Sequence, residues 1–353
     1  MQVDIYEQVG DLPQSATDAF SYRNGVPFFY SHEWFDCLAC HGIDDVTRPR
    51  VYVAHDDSGV QCGLYCATTD KGKLISLTNY YTMEYAPLMA GENADAGLAA
   101  IVARLGEERW DTVDLRTMRV EGPVYERLAA LIDEQGFHVF PYQQHENWYL
   151  EVDGRSFDDY YNGLSSRLRN TIKRKGNKLR REHEVELAIY PRDAISLAES
   201  LAVYEAVYQS SWKQAEPFPD FMPALFRLCD QLGNARVGIA RIDGEPAAAQ
   251  IWINDRERTL IYKLAYDEKY TSMSIGSVLS RELFEYAIDH DQVSEIDYGV
   301  GSEKYKRDWM SAMRRLDALM ACNGQTIKGK ALAAKEKLAA ATRSLRHGDD
   351  AED

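Results

Sequence analysis

The segment Ala235-Arg236-Val237-Gly238-Ile239-Ala240 runs into an Asp243-Gly244 turn and continues as a second apolar segment, Ala247 to Ile253. Two apolar runs joined through an Asp-Gly pair are typical of a β-hairpin. A similar pattern stands 186 residues earlier, where Val51-Tyr52-Val53-Ala54 leads into Asp57-Ser58-Gly59 and another apolar run. The sequence therefore predicts two related hairpins, one in each half of the chain.

Each hairpin is followed by the same order of elements: a strand, a loop, a helix and a short strand. The short strands Val113-Asp114-Leu115 and Ile296-Asp297-Tyr298 are 183 residues apart, close to the offset of the hairpins. Such a constant offset indicates a duplicated α/β unit with mixed sheets. We expect an N-terminal domain over 1–152, a related domain over 153–325, and a basic helical tail over 326–353 that frays at its end.

The composition is that of a globular protein and excludes a disordered or fibrous chain. The 353 residues are 45% hydrophobic and 27% charged. No apolar run reaches the roughly 18–20 residues of a membrane-spanning helix, and the N-terminus has no signal-peptide pattern. We expect a cytoplasmic protein whose six cysteines are free thiols. The net charge of −16 argues against general DNA binding.

Positive charge is nevertheless concentrated in one stretch, from Arg167 to Arg181, which carries eight basic residues and no acid. Ser165 can cap a helix here, and the apolar residues of that helix lie on one stripe. The helix is either a solvated surface or a docking site for an anionic substrate such as CoA phosphates, a nucleotide sugar or RNA. We favour docking, with Arg167, Arg169 and Lys173 as candidate contacts.

The segment Ser274-Ile275-Gly276-Ser277 enters a predicted helix. A helix start offers unpaired N–H groups and a positive dipole end, and Gly276 allows the close approach that a pyrophosphate needs. The alternative is an ordinary capped helix, because short Gly motifs are weak signals. Tyr262 and Tyr266, on the preceding strand, and Trp212 are either core residues or contacts for the ligand.

A third candidate is the strand end Asp297-Tyr298-Gly299-Val300-Gly301, which leads to Tyr305 and Lys306. Lys306 can neutralise a phosphate or stabilise an oxyanion. Asp297 can accept a proton from an attacking ammonium, and Tyr298 or Tyr305 can protonate a leaving thiolate. In the alternative interpretation, Asp297 caps a turn and Lys306 is a solvated surface charge.

Together these segments resemble the FemAB-like branch of the GNAT acyltransferase superfamily, which includes BioF2-like and CelD/BcsL-type bacterial proteins. The resemblance covers most of the chain and is strongest over 157–322. It is carried by the basic helix, by Tyr266-Asp267-Glu268-Lys269-Tyr270, by Ser274 to Leu279, and by Asp297 to Gly301 with Tyr305 to Trp309. The GNAT phosphate motif, Gln/Arg-x-x-Gly-x-Gly/Ala, has Met273 and Val278 at its outer places here.

The resemblance implies two tandem GNAT-like domains and transfer of an acyl group to an amine without a covalent enzyme intermediate. The implied donor is acyl-CoA as a co-substrate, with no permanently bound cofactor. The implied acceptor is a small-molecule amine or a nucleotide-linked precursor of cell-envelope or polysaccharide biosynthesis. Two alternatives stay open: an aminoacyl-tRNA-dependent peptidyltransferase that uses the basic helix for tRNA, and a non-catalytic binding module.

The sequence Cys37-Leu38-Ala39-Cys40-His41 matches the haem-attachment pattern, but that chemistry needs export. Cys62 and Cys66 are four apart on a predicted strand, about 13 Å along it, which is too far to share one metal ion. We therefore predict buried thiols and no metal site.

Overall fold

The computed structural model describes residues 1–69 and 72–349, and of residues 340–349 only the helical backbone. The chain divides into two compact units, Met1–His145 with the chain from Arg315 onward, and Glu146–Arg314. This division differs from the predicted boundaries at 152 and 325 in where the last strand and the start of the tail are assigned. The last residues of the tail, 350–353, where we predicted fraying, lie outside the described residues.

The elements of the first unit repeat the predicted order. They are β1 (Gln2–Tyr6), α1 (Gln14–Ala19), α2 (His32–His41), β2 (Arg48–Asp56), β3 (Gly59–Thr68), β4 (Lys73–Ser76), β5 (Leu88–Met89), α3 (Ala94–Glu107), β6 (Thr112–Arg119) and α4 (Pro123–Glu134). The chain then continues through β7 (Phe137–Glu151).

The remaining elements contain the second hairpin and the C-terminal helix. They are α5 (Phe157–Gly163), α6 (Ser166–Glu182), β8 (Val185–Tyr190), α7 (Leu197–Gln209), α8 (Phe221–Leu232), β9 (Ala235–Ile242), β10 (Glu245–Asp255), β11 (Arg258–Tyr266), α9 (Ile275–Glu285), β12 (Glu295–Val300), α10 (Lys304–Trp309), β13 (Ala312–Asn323) and α11 (Ile327–Asp349). No helix in the described part of the chain is both long enough and apolar enough to cross a lipid bilayer.

The strand order of the two units confirms the predicted mixed α/β fold. The first unit has the order β1-β2-β3-β4-β6-β13, with β5 beside β3, and the second has β7-β12-β11-β10-β9-β8. In each unit a three-stranded antiparallel meander is followed by a helix and by a strand that pairs in parallel, β4 with β6 and β11 with β12. The parallel pair requires the crossover helix, α3 or α9.

The Asp243-Gly244 turn joins β9 to β10 as predicted. Ile242 pairs directly with Glu245, so the loop has two residues. Both loop residues have positive φ, 53° and 81°, which is the geometry of the tight turn that Asp-Gly favours.

Three local features differ from what the sequence pattern predicts. The pattern predicts separate strands over 137–140 and 147–152, whereas the structure has the single strand β7, whose polar middle carries exposed side chains. It predicts a helix over 193–213, whereas α7 is shorter and ends at Gln209. It predicts a loop after Gly299 that includes Lys306, whereas Lys306 lies on the short helix α10.

Helix α9 is the centre of the second unit's core. Phe284 is sandwiched between Tyr160, with ring centroids 5.6 Å apart, and Trp309, at 4.7 Å, both nearly parallel to it. The Tyr160 hydroxyl also donates to the Trp309 carbonyl at 2.8 Å. Helix α10 is therefore fixed against α9 by stacked aromatic rings.

The close approach of β9 to α9 gives a stability test. A Cβ at Gly238 would lie 2.7 Å from a methyl carbon of Leu283, so Gly238→Ala forces the packed leucine to shift. We expect a loss of about 1–3 kcal/mol in the free energy of unfolding, measured by urea denaturation. Gly163→Ala is the control, because nothing lies within 4 Å of its Cβ position. Equal stability of the two variants would contradict this packing.

Candidate functional site

The strands β11 and β12 separate after a short parallel stretch. They pair only at Arg258 with Glu295, Thr259 with Ile296, and Leu260 with Asp297. Beyond this point, the described segments 261–266 and 298–300 are not paired with each other. The register of β12 on β7 also shifts between Asp297 and Val300. The result is an opening at the carboxyl ends of two parallel strands, where α/β folds commonly bind ligands.

Asp297 lies at the point of separation, buried among hydrogen-bond donors. Its Oδ1 accepts from the Asn147 side chain at 2.6 Å and from the Gly299 N–H at 2.7 Å, and its Oδ2 accepts from Arg314 at 2.7 Å. Burial alone raises the pKa of this carboxyl, but the Arg258 and Arg314 cations and the hydrogen bonds bring it below its usual value. Asp297 is therefore an ionised carboxylate with its oxygens occupied.

Arg314 extends this cluster and ties β12 to β7. Its guanidinium contacts both carboxylate oxygens of Glu295, at 3.0 and 2.6 Å, and its Nε donates to the Asn147 side chain at 2.5 Å. A general base needs a pKa near the working pH, which the environment of Asp297 opposes. The arrangement favours a positioning role for Asp297 over the proton-accepting role considered from the sequence.

Lys306 closes the turn that follows β12. Its ammonium donates to the Val300 carbonyl and pairs with Glu303 at 3.0 Å, and the residue is only 5% exposed. Gly301 has φ +122°, and a Cβ there would lie 2.9 Å from the ammonium of Lys306. Lys306 is therefore not a solvated surface charge. Its ammonium is bound within the turn, to the Val300 carbonyl and to Glu303.

Tyr298 and Tyr305 pack edge to face, with ring centroids 5.6 Å apart. Tyr298 is buried, and that burial raises its pKa. Burial, followed by the charge of Glu303, raises the pKa of Tyr305 to about 12, although the residue is 45% exposed. Both hydroxyls stay protonated at neutral pH, and Tyr305 is the one that a ligand can reach.

Several residues singled out from the sequence meet beside this opening. The rings of Trp212 and Tyr266 lie 4.5 Å apart, and a Cβ at Gly276 would lie 3.5 Å from the Tyr266 ring. Tyr266 is among the neighbours that raise the pKa of Tyr305, so the two tyrosines lie close together. Tyr262 is instead buried within β11. Trp212, Tyr266, Gly276 and Tyr305 thus form one neighbourhood.

The start of α9 has the geometry expected of an anion-binding turn. Ser274 adopts a left-handed conformation, and its carbonyl accepts from the N–H groups of Ser277 and Val278. Among the residues that the structure describes, the N–H groups of Ile275 and Gly276 meet no acceptor. Buried Gln250 on β10 donates to the Gly276 carbonyl at 3.0 Å, which fixes this first turn.

The basic helix α6 packs beside that segment. Ser165 caps it as predicted, accepting from the Leu168 N–H at 3.3 Å. Lys175 donates to the Ser272 carbonyl at 2.5 Å, just before α9. Arg167 and Lys173 lie on an exposed face of α6 that also carries Asn170, Thr171, Arg174 and Asn177. Arg169 is half-buried and does not line it.

A charged cluster that the sequence analysis missed lies near the turn after β12. Lys263 on β11 pairs with Glu216 at 3.0 Å, and both side chains are largely buried. Burial and then the neighbouring Lys263 cation lower the pKa of Lys213 to about 8, while Glu216 opposes the shift. Lys306 and Glu303 also act on Lys213. The sequence feature that could have revealed this cluster is Lys263, a lysine within an otherwise apolar strand.

The cysteines lie apart from this neighbourhood. Cys37 is buried on α2 and Cys40 is exposed. Burial raises the pKa of Cys62 and of Cys66 on β3 to about 12 each, so both are protonated thiols at neutral pH. Within the described ranges, no three His, Cys, Asp or Glu residues are grouped so as to hold a metal ion.

Comparison with known proteins identifies the second unit. Residues 166–307 match the acetyltransferase (GNAT) domain family. No curated protein sequence matches the chain.

Three solved structures share the fold over most of the chain. FemX is 8% identical, with 90% of this chain and 97% of that chain covered and a TM-score of 0.58. L-PGS from Bacillus licheniformis is 12% identical, with coverage of 95% and 97% and a TM-score of 0.58. A tandem GNAT protein from the clavulanic acid biosynthesis pathway is 12% identical, with coverage of 92% and 100% and a TM-score of 0.52.

These matches confirm the resemblance to the FemAB-like GNAT branch and the tandem GNAT-like architecture. At such low identities the structural likeness concerns the fold alone. The matched domain begins at the basic helix and extends through the turn closed by Lys306, so it contains the whole neighbourhood described above.

The Asp297 cluster predicts a specific pH dependence of stability. Asp297→Asn removes the more deeply buried of the two carboxylate partners of Arg314 and leaves only Glu295, and we expect a loss of about 3–5 kcal/mol in unfolding free energy at pH 7. Because the folded-state pKa is depressed, this contribution is complete above the unfolded value of about 3.9 and is lost as pH falls through the folded value. The unfolding free energies of the parent and the variant should therefore begin to converge only as pH falls below about 4, and should meet below the folded-state pKa of Asp297.

Asp308→Asn, an exposed change on α10, serves as the matched control and should stay within about 0.5 kcal/mol of the parent. A fully stable Asp297→Asn protein with lost activity would instead favour a catalytic role for this carboxylate.

Proposed function

We propose that this chain is an N-acyltransferase that moves an acyl group from acyl-CoA to an amine. The proposal starts from the match of residues 166–307 to the GNAT acetyltransferase domain. The observation that carries the proposal is the separation of β11 and β12 beside the two N–H groups at the start of α9. This places unpaired strand edges, which can bond the amides of an extended donor, next to a turn that can bond its phosphates.

The donor phosphates would lie against Ile275 and Gly276. Met273 stands where the usual motif has Gln or Arg, so that position supplies no polar group. Lys175 compensates, because its bond to the Ser272 carbonyl holds a cation from α6 beside the same segment. The acyl end would then reach the aromatic neighbourhood of Tyr266, Trp212 and Tyr305.

The chemistry follows from the groups around the opening. The amine nitrogen attacks the thioester carbonyl carbon, the C–S bond breaks, and CoA leaves as a thiolate. Tyr305, protonated and exposed, gives its proton to the thiolate sulfur. Lys213, with a pKa of about 8, takes the proton that the attacking nitrogen loses. Lys306 acts as a positioning residue by closing the turn that carries Tyr305.

The acceptor class proposed is that of the family resemblance: a small-molecule amine, or the amine of a nucleotide-linked envelope or polysaccharide precursor. The attack on the thioester carbonyl is the same for either acceptor. Because donor and acceptor must be bound at the same time, the acceptor needs a site of its own beside the donor opening.

Acyl transfer is testable by measuring free CoA thiol released from acyl-CoAs of several chain lengths in the presence of a panel of amines. Because neutral Lys213 accepts the proton, activity should rise as pH increases through about 8. Lys213→Met should lower kcat about 10²-fold and remove this rise. Lys304→Met, an exposed lysine on α10, should leave both unchanged.

Two results would contradict these assignments. If none of the acyl-CoAs binds the folded protein, the donor assignment fails. If Lys213→Met keeps both the kcat and the pH profile of the parent, Lys213 is not the proton acceptor.

A second candidate is an aminoacyl-tRNA-dependent transferase, favoured by the exposed cationic face of α6 and by the shared fold with FemX. Under this function the anionic donor is RNA, and binding should weaken steeply with salt.

The cationic face is tested by the double change Arg167→Gln with Lys173→Gln. At low salt it should raise the KM for the true anionic donor several-fold and leave kcat unchanged, because screening is weakest there. Arg169→Gln is the matched control, because Arg169 does not line the face. Charged tRNA and acyl-CoA are compared as donors in the same assay. Unchanged kinetics in the double variant with both donors would remove α6 from the site.

A further inference from the structure

The side chain of Lys213 lies near two ion pairs and belongs to neither. Lys263 on β11 contacts both carboxylate oxygens of Glu216, at 3.0 and 3.3 Å. Lys306, in the turn after β12, pairs with Glu303 at 3.0 Å. Among the residues that the structure describes, the Lys213 ammonium makes no ion pair and no hydrogen bond. Lys213 is therefore the cation of this cluster that has no carboxylate of its own.

The chain around Lys213 is held in place beside the aromatic residues of the site. The Tyr208 hydroxyl donates to the Gln214 carbonyl at 2.8 Å, which fixes the backbone on one side of Lys213. On the other side, the Trp212 ring lies 4.5 Å from the ring of Tyr266 on β11. Lys213 is thus carried by a fixed segment next to the rings where the acyl end of the donor is proposed to lie.

Lys213 also lies near both edges of the opening between β11 and β12. Lys263 belongs to the part of β11 that no longer pairs with β12, and Lys306 follows the end of β12. Burial first, and then the charges of these two lysines, lower the pKa of Lys213 to about 8. About a tenth of the Lys213 side chains are then neutral amines at pH 7, and a neutral amine is a nucleophile.

The two other lysines of the cluster are not free to react. The Lys263 side chain is buried in its ion pair, and although burial lowers its pKa, Glu216 opposes that shift. Lys306 is buried as well, and its ammonium is bound to the Val300 carbonyl and to Glu303. An ammonium held in this way has no lone pair with which to attack carbon. Lys213, which is partly exposed, is the amine that a donor in the opening would meet.

We propose that Lys213 is itself acylated at its ε-nitrogen by acyl-CoA bound in the opening when no acceptor amine is present. The neutral nitrogen attacks the thioester carbonyl carbon, the C–S bond breaks, and an amide forms. A proton lost by the nitrogen is balanced by one gained at the thiolate, so one amine and one thioester give one amide and one thiol. This inference rests on the proposed acyltransferase function, since it uses the same donor.

Acylation of Lys213 would switch the transferase off. An amide nitrogen is not a base, so the modified chain lacks the proton acceptor assigned to Lys213. The amide is also uncharged, and its formation relieves the repulsion between Lys213 and the cations of Lys263 and Lys306. Acceptor amines compete with Lys213 for the same thioester, so the modification regulates the enzyme according to the supply of acceptor.

The modification is measured by mass spectrometry of the digested protein after incubation of the full chain with acetyl-CoA in an amine-free buffer. We expect one acetyl group per chain at Lys213, formed at least about tenfold faster than acetylation of the exposed Lys304, because the bound donor is held next to Lys213. The rate at Lys213 should saturate with acetyl-CoA concentration and rise with pH through about 8. Lys304, which reacts only with free donor, should show no saturation.

Two variants and an activity assay complete the test. Lys213→Arg keeps the positive charge, but its guanidinium stays protonated and is not acylated. This variant should lose the release of one thiol per chain that the parent shows without amines. Lys304→Arg is the matched control and should release thiol like the parent. In the parent, thiol release with the amine panel should fall in proportion to the fraction labelled at Lys213. Thermal melting checks that each variant is folded.

Acetylation of Lys213 no faster than that of Lys304, or release of one thiol per chain without amines by folded Lys213→Arg, would overturn the proposal. Full activity of a completely labelled chain would overturn it as well. The two proposals fail separately. Acylation of added amines by a chain that never labels Lys213 refutes self-acylation alone. Labelling of Lys213 without acylation of any amine refutes the transferase function and leaves the modification site standing.

Discussion

The separation of two parallel strands depends on one buried carboxylate. Asp297 lies at the last pair that joins β12 to β11, and Asn147, the Gly299 N–H and Arg314 occupy its oxygens. These bonds hold β12 on β7 across a register shift instead of along β11. Removing a carboxylate from water is costly, so the site requires the two nearby arginines. Backbone pairing beyond Asp297, Val300 with Asn147 and the Gly301 N–H with the Glu146 carbonyl at 2.8 Å, continues this attachment to β7.

The turn after β12 directly follows the strand that this cluster fixes on β7. Lys306 closes the turn onto the Val300 carbonyl, and Trp309 stacks on Phe284 of α9. Tyr305 is thereby presented beside Tyr266 and Trp212, at the open end of the separated strands. Lys213, Glu216 and Lys263 come from other segments of the chain and lie near the same turn. The candidate chemistry is thus assembled by loops on a rigid sheet, as is common for catalytic sites.

Much of the fold was readable from the sequence, because hairpins and caps are local. The Asp243-Gly244 turn, the Ser165 cap and the offset of the two halves depend on residues close in the chain. The same reasoning placed Gly276, Tyr266 and Tyr305 near the site. It missed Lys213, Glu216 and Lys263, which are brought together only by tertiary packing. For Asp297 and Lys306 the sequence left two interpretations open, since burial and partners decide whether a charged group is available for chemistry.

We propose that acyl-CoA binds where β11 and β12 separate. Amide hydrogen exchange of the full chain, with and without acetyl-CoA, tests it most directly. We expect slower exchange in segments 261–266, 275–277 and 298–300 when acetyl-CoA is present, because the donor would occupy these N–H groups or shield them from water. Unchanged exchange in all three segments under saturating acetyl-CoA, or protection confined to residues 1–145, would contradict it.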